Sequence, residues 1–566
     1  MNGKWWHNAV GYIIYPQAFK DSNGDGIGDL NGIIEKLDYL SFLGVNLLWI
    51  GPIFDSANPY NGYDSRDFLT LAPRYGDMAD LKRLLDEAHA RGIRIIMDFP
   101  LNHTCKEHPW FQKALKDPTS EEAGYYYIER GKRKGRKLLP PCNWESFSED
   151  SVWTRIGKSE YFYLHVFSND IPDLNWSNPK LREKMYEALR YYLDMGVDGF
   201  RLDALAHLAK DTSWSDSSLP VKENGCAFDT SKYSNRPELY EYLRLLKQEV
   251  FSHYDCLIVG EVGGSVTPEG ALKMASWHDG YINMVFNFDT VWNNHNYGSI
   301  DKKDDEIKTE VAELKKNFMR WYEVCGGKCD MPLYWCNHDH PRVLSQYGNP
   351  KYREESAKML FTTILFLYGN DFIYFGDEIG MSNAEYDSLD DYLVDAGMRP
   401  EIERFRKQGY SDEWILHYLN RSSRINSRLP MQWDDSENAG FSDAKPLFRA
   451  NPNYLRGVNV KDEMKDTDSI FHFYKYAIGI RKDPMINEQV LNCRLRLEDP
   501  ENEDVFAYIH DGMEKIMVVS NMRDHDVDFT FYYRITDIML HNYDGLMLSD
   551  GKLHLRPYES LLLRIS

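Results

Sequence analysis

The sequence predicts a (β/α)8 TIM barrel with an inserted subdomain after strand three and a C-terminal antiparallel β-sandwich domain. Three observations predict it. Short apolar runs alternate with amphipathic helical stretches over most of the 566 residues. A long segment after the third run, rich in Tyr, Trp, Pro and charge, lacks that rhythm. From about residue 490 the pattern becomes short alternating strands. Apolar strands separated by helices imply a parallel sheet covered by helices, and eight such units imply a closed barrel.

In order, the expected strands are Gly11–Tyr15, Val45–Ile50, Ile93–Phe99, Val197–Leu202, Leu257–Gly260, Ile282–Phe286, Pro332–Cys336 and Phe372–Phe375. Between them lie the helical stretches Asp80–Ala90, Leu181–Met195, Pro237–Phe251, Glu306–Val324 and Arg353–Tyr368, and Phe471–Lys482 is the last helix. Residues 1–103 and 173–485 thus form the barrel, residues 104–172 the inserted subdomain over its mouth, and residues 380–440 a polar helical excursion after strand eight. Residues 490–566 form the β domain, with strands at Val505–His510, Lys515–Ser520, Val527–Phe531 and Ser560–Ile565.

Composition bounds the function. A chain this long exceeds one ordinary core, and 43% hydrophobic with 27% charged residues is globular. The 38 Tyr and 14 Trp suit a large core and also suit the apolar faces of sugar rings. A formal charge of −22 repels nucleic acid and anionic membranes, so neither is expected as a partner. No run approaches the ~20 apolar residues of a membrane span, and MNGKWWHNAV lacks the apolar run of a signal peptide. The expected location is the cytoplasm. Cys105, Cys142, Cys226, Cys256, Cys336 and Cys493 are scattered like reduced thiols. Cys325 and Cys329 are spaced like half a metal site with no matching pair.

In such a barrel the catalytic groups sit at the C-terminal strand ends. Asp98 closes strand three in MDFPLNHT, Asp203 strand four in GFRLDAL, and Glu261 strand five in IVGEVGG. Asp339 follows strand seven in WCNHDHPR. One strand-end carboxylate can simply cap the next helix; four on one rim, with His103, Arg201 and His338 beside them, point to chemistry. Glycoside hydrolysis needs two carboxyl groups, one to protonate the leaving oxygen and one to meet the oxocarbenium-like carbon. Arg201, on the same side of its strand as Asp203, is expected to hold that carboxylate ionised. Glu261 has no basic sequence neighbour and follows an apolar run, which suits a raised pKa and an acid role.

These segments, in order and with IPDLNW (171–176) and GNDFIYFGDEIGM (369–381), resemble the α-amylase family, glycoside hydrolase family 13. The resemblance covers nearly the whole chain. It implies retention of configuration, with Asp203 as nucleophile, Glu261 as acid/base and Asp339 binding sugar hydroxyls and stabilising the distorted transition state. His103, Arg201 and His338 would line the subsite of the cleaved glucose, and Asp98 and Asn102 would shape it. YPQAFKDSNGDGIGDLNGI and RINSRLPMQWD (424–434) are similar to the oligo-1,6-glucosidase, maltase and dextran glucosidase branch. That likeness implies an exo-acting α-glucosidase of malto- or isomalto-oligosaccharides. Asp64 and Arg424 would grip the non-reducing glucose, with Tyr63 stacked on it. Ile425 and Leu429 depart from the branch pattern, so Arg428 could share or take the role of Arg424. A small residue at Ala204 goes with α-1,4 activity in this branch. His340 also departs from the usual residue beside the third carboxylate, and VFNFDTVW (285–292) is similar to a sugar-lining stretch.

The loop Asp21, Asn23, Asp25, Ile27, Asp29 has oxygen ligands at alternate positions and a Gly at the sixth, as calcium loops do. Relatives of this branch bind calcium there, which implies a structural Ca²⁺ and no organic cofactor; the simpler alternative is a polar, Gly-enabled turn. Three alternatives share or discard the chemistry. A transglucosylase or sugar isomerase would pass the glucosyl group to a sugar hydroxyl. A phosphotrehalose hydrolase would want a basic cluster such as Arg130–Lys137, which otherwise reads as a solvated loop. An inactive binding subunit would have lost carboxylates that this chain keeps. Monomer and homodimer are both open.

Overall fold

The computed structural model describes residues 4–56, 62–263, 266–291, 298–395 and 397–566. The strands that alternate with helices are β1 (Gly11–Ile14), β2 (Leu47–Ile50), β3 (Arg94–Pro100), β4 (Gly199–Asp203), β5 (Leu257–Glu261), β6 (Met284–Phe286), β7 (Pro332–Leu333) and β8 (Asn370–Tyr374). The chain divides into two compact units: Met1–Ile50, Asp86–Arg94 and Phe288–Ser566 in one, Gly51–Leu85 and Ile95–Asn287 in the other.

In the first unit β2, β1, β8 and β7 lie side by side and parallel. Their side chains are buried on both faces, which is why Gly11–Ile14, Leu47–Ile50 and the Phe372–Tyr374 part of β8 read as continuously apolar. β7 is shorter than expected, ending at Leu333. Residues 334–336 stay buried but leave the sheet, Trp335 donating its indole N–H to the Leu360 carbonyl at 2.9 Å. The helix Arg353–Leu365, expected to be amphipathic, is buried from Ser356 through Leu365. The C-terminal sheet covers its outer side. Tyr508 donates to the Thr363 carbonyl at 2.9 Å, Thr363 to Ser520 at 2.8 Å, and His510 Nε2 lies 2.7 Å from the Phe366 carbonyl.

That sheet is antiparallel, built from β9 (Arg494–Glu498), β10 (Val505–Asp511), β11 (Lys515–Asn521), β12 (Ile535–His541) and β13 (Ser560–Ile565), in the order β9-β10-β11-β13-β12. A second sheet pairs Val527–Thr530 with Lys552–Leu555, which in turn pairs with Leu548–Ser549. Alternate residues of the two sheets, among them Val505, Ala507, Ile509, Leu561 and Leu563 with Phe529, Leu553 and Leu555, make one core. Residues 380–440 carry the helices Met398–Lys407 and Asp412–Ser422, which share a separate core around Ile402, Phe405, Ile415 and Leu419.

In the second unit β3, β4, β5 and β6 are parallel neighbours. The helix Pro179–Met195 delivers the chain into β4. Asn178 caps it, Pro179 fills its first turn, and Gly196 ends it in the left-handed region at φ 111°. At Gly199 a Cβ would lie 1.9 Å from the Leu257 carbonyl oxygen, so only glycine lets β4 start against β5. The insertion contains a helix, Pro109–Lys116, that the sequence reading did not anticipate. It is two turns long and is capped by the ring of His108, whose side chain accepts from the Trp110 N–H, which leaves little periodic signal. An antiparallel sheet of Ile128–Arg130, Tyr161–Leu164 and Trp153–Arg155 and a hairpin of Lys132–Lys134 with Lys137–Leu139 complete it, over a core containing Trp144, Trp153 and Phe162. Among the described residues no helix is long and apolar enough to cross a membrane.

Candidate active site

The strand register assembles the second unit's polar group. Arg201 lies opposite Asp98 on β3 and opposite Val259 on β5. Side chains two apart share a face, so Asp203 sits beside Arg201, and Glu261, two beyond Val259, comes to the same side. Arg201, 2% exposed, donates from Nη1 to Asp98 Oδ1 at 2.8 Å and to Asp203 Oδ1 at 2.6 Å, while Nη2 lies 3.0 Å from Glu261 Oε1. Asp98 Oδ2 accepts from the Tyr63 hydroxyl at 2.8 Å, and the Tyr63 ring lies 5.8 Å from the guanidinium. Glu261 Oε2 accepts the Ala204 main-chain N–H at 3.0 Å. Ala204 is in the left-handed region at φ 51°, the turn that brings its N–H to that carboxylate.

Two electrostatic expectations are corrected by this geometry. Arg201 is not dedicated to Asp203 but divided among three carboxylates, and Glu261, with no basic neighbour in sequence, has one across the sheet. Burial pushes the Asp203 carboxyl well above the usual range; Arg201 pulls it back, and Glu261 and Asp98 push it further up. Arg201 stays charged: burial opposes that, and Asp98, Glu261 and Asp203 outweigh burial. One cation does not balance three clustered carboxyls, and like charges at this range oppose the ionisation of Asp203.

Around this centre, Asp64 is 1% exposed and accepts from Ser56 Oγ at 2.9 Å. His103, just beyond β3, is buried. Burial first, with Lys210 adding to it and Asp173 opposing, lowers its pKa to about 4, so the ring is neutral near pH 7.

In the first unit Asp339 is held by two arginines and a histidine. His338 Nε2 lies 3.1 Å from Oδ2; Arg428 donates to Oδ1 at 3.0 Å and Arg424 to the same oxygen at 3.5 Å. Against burial, His338, Arg428 and Arg424 hold this carboxyl well below the usual range. Arg428, its side chain 3% exposed, also reaches Asp395 at 3.0 Å and the His338 carbonyl at 2.8 Å, whereas Arg424 is 41% exposed. Of the two arginines in RINSR the structure therefore buries Arg428. The Tyr15 ring stacks on His338 with centroids 5.6 Å apart and planes 2° from parallel. Burial first lowers the pKa of His340, to about 4, with His338 adding to it and Asp339 opposing. Sequence reasoning passed over Tyr15, Asp395 and Lys210. Tyr15 stands at a strand end but carries no carboxylate, Asp395 is buried at no strand end, and Lys210 lies seven residues past the carboxylate of its strand. The segment VFNFDTVW ends at residue 292, outside the described residues.

The loop over residues 21–29 is organised by hydrogen bonds. Asp21 accepts from the N–H groups of Asn23, Gly24 and Gly26 and from the Ser442 hydroxyl. Asp25 accepts from the Ile27 N–H. Asp29 accepts from Ser22 and caps the next helix through the Gly32 N–H. Three carboxylates, the Asn23 carboxamide and the Ile27 carbonyl are the donor chemistry of a hard cation. Among the described residues, however, no three His, Cys, Asp or Glu side chains gather as a metal-ligating group.

Comparison with known proteins gives this geometry a setting. The family model described as the catalytic domain of alpha amylase matches residues 13–489. An oligo-1,6-glucosidase of Bacillus cereus is 36% identical over 100% of both chains. Among solved structures, trehalose-6-phosphate hydrolase of Bacillus licheniformis matches with a TM-score of 0.90 at 33% identity, and trehalulose synthase of Pseudomonas mesoacidophila with a TM-score of 0.90 at 32% identity, each covering 100% of both chains. The fold class is the (β/α)8 barrel with a C-terminal antiparallel β domain that the sequence predicts. With a family model across its barrel and full-length relatives well above 30% identity, this chain belongs to the α-amylase family of glycoside hydrolases.

Proposed function

We propose that this enzyme is a retaining, exo-acting α-glucosidase of short α-glucans, working through a covalent glucosyl-Asp203. The observation that carries the proposal is the single guanidinium of Arg201 reaching both Asp203 and Glu261 from the adjacent strands β4 and β5. In the reaction Glu261 gives its proton to the glycosidic oxygen as Asp203 attacks the anomeric carbon. Water then displaces the sugar from Asp203, with Glu261 taking the proton. The chemistry needs one protonated and one ionised carboxyl, and the raised pKa of Asp203 supports a proton held at this cluster. Productive binding must leave that proton on Glu261. Asp339, held ionised, is assigned to sugar hydroxyls, and Tyr63, Asp64, His103, Arg201, His338 and Arg424 to the glucose, with Arg428 as the group that holds Asp339.

The test is Asp203→Ala and Glu261→Gln on p-nitrophenyl α-glucoside, with the product anomer followed by NMR. Expected are loss of turnover in the first, a loss of about 10²–10⁴-fold in the second, and initial release of α-glucose by the parent enzyme. Initial release of β-glucose would refute retention.

Linkage is decided by a panel of maltose, isomaltose, panose, sucrose, trehalose and trehalose 6-phosphate. The name of the Bacillus cereus relative favours α-1,6, and Ala204 favours α-1,4. A second reading, transfer to a sugar or hydrolysis of a phosphorylated disaccharide, draws on the names of the two structural relatives. Against the phosphorylated substrate, Arg130 and Arg133 of the basic run are already paired with Glu160. We further assign a structural Ca²⁺ to Asp21, Asn23, Asp25, Ile27 and Asp29, supported by their oxygen donors, with no part in the chemistry. A cytoplasmic location is supported by eight cysteines, all free thiols.

A further inference from the structure

We propose that Lys210 is a positioning residue that sets the tautomer and orientation of His103 through Asn102. The inference rests on the reading that His103 touches the cleaved glucose. Lys210 and Asp173 are buried with fully inaccessible side chains, and their Nζ–Oδ2 distance is 2.7 Å. The same ammonium donates to Asn102 Oδ1 at 2.8 Å and to the His207 carbonyl. An ammonium only donates, so the carboxamide of Asn102 must present its oxygen to Lys210. Its NH₂ group then faces the other way, where Nδ2 lies 3.3 Å from His103 Nδ1. An NH₂ group only donates, so Nδ1 must accept, and the proton of the neutral ring resides on Nε2. The relay thus leaves Nε2–H as the ring's donor, toward the Tyr63 carbonyl or a sugar hydroxyl. From the main-chain side, His103 is bridged antiparallel to Asp173, so the acid that holds Lys210 also anchors the histidine's backbone.

The charges around the ring are Asp173 and Glu261, which favour the imidazolium, and Lys210, which disfavours it; burial is the largest influence and keeps the ring neutral. The Phe167 ring packs edge-on at 5.6 Å. Removing the ammonium leaves Asp173 as an uncompensated anion beside the ring, and an anion at such range raises a pKa by roughly 1–3 units.

The experiment uses full-length protein labelled with ¹⁵N-histidine. The His103 ring resonances are assigned by their loss in His103→Gln, and tautomer and titration are read by NMR. In parallel kcat and KM are followed from pH 4 to 8 on p-nitrophenyl α-glucoside. Three variants are compared: Asn102→Leu, Lys210→Met and Lys210→Met/Asp173→Asn. The last removes both charges, so it folds without a stranded carboxylate. Expected are an Nε2–H ring in the parent and loss of that single tautomer in all three. In Lys210→Met the acid limb of kcat/KM moves up by about one pH unit or more, and kcat/KM at neutral pH falls by roughly 10²-fold. The double variant restores the acid limb but not the tautomer. An unchanged Nε2–H ring in Asn102→Leu and in the double variant would overturn the proposal, leaving the ion pair a purely structural element. If the parent hydrolyses no α-glucoside, the proposed function fails, while the tautomer still decides this inference.

Discussion

Replacing Arg201 by methionine tests the charge arrangement at the centre of the site. The guanidinium is buried and lies within 2.6–3.0 Å of oxygens on Asp98, Asp203 and Glu261. Breaking a buried ion pair from one side costs about 3–5 kcal/mol, because the remaining charge is stranded. For 566 residues at roughly 2.1 cal/mol/K each, that is a fall in Tm of about 3 °C if the chain unfolds as one unit. The pH dependence is more telling. Asp203 already titrates above its ordinary 3.8, and loss of the cation raises it further. Above pH 3.8 the folded variant then binds more protons than the unfolded chain. Its stability therefore falls as pH rises, by up to about 1.4 kcal/mol per pH unit for each extra proton held. Calorimetric melts of parent and variant from pH 4 to 8 should show a gap in Tm that is small at pH 4 and widens toward neutrality. A gap independent of pH, or none, would show that Arg201 does not balance these carboxyls.

The two arginines of RINSR should separate. Arg428→Met, which takes the buried guanidinium away from Asp339 and Asp395, is expected to cost about 3–5 kcal/mol by denaturant titration, and Arg424→Met, half-exposed, less than ~1 kcal/mol; the reverse order would return the clamp to Arg424. A structural calcium predicts that EGTA lowers Tm and that Ca²⁺ restores it, with about 2.7 kcal/mol recovered at a hundredfold excess over Kd. A Tm indifferent to both would make residues 21–29 a hydrogen-bonded turn alone.

The positions of the carboxylates were legible in the sequence because a strand end is a local event: an apolar run stops at Asp98, Asp203 or Glu261. Their electrostatics were not. In the sequence Arg201 stands two residues from Asp203 and nearest to it of the carboxylates. The partners it adds, Asp98 and Glu261, are 103 and 60 positions distant in the sequence and reach it only through the β3–β4 and β4–β5 registers. The helix Arg353–Leu365 misled for a similar reason, since a pattern that reads as amphipathic in isolation is covered by a sheet more than a hundred residues on. Pro109–Lys116 was missed because a two-turn helix has too few residues to display a period.

By itself, then, the sequence determined the alternation of strands and helices, the carboxylates at their ends, the family and the retaining chemistry it implies. These follow from local periodicity and from motifs that each fit in one short segment. Only the tertiary structure decided which cation serves which anion: Arg201 shared three ways, Arg428 buried against Asp339, and Lys210 placed behind His103. Ion pairing and burial depend on what lies across a sheet or beneath a loop, and a charge acquires its working pKa from those neighbours rather than from its place in the chain.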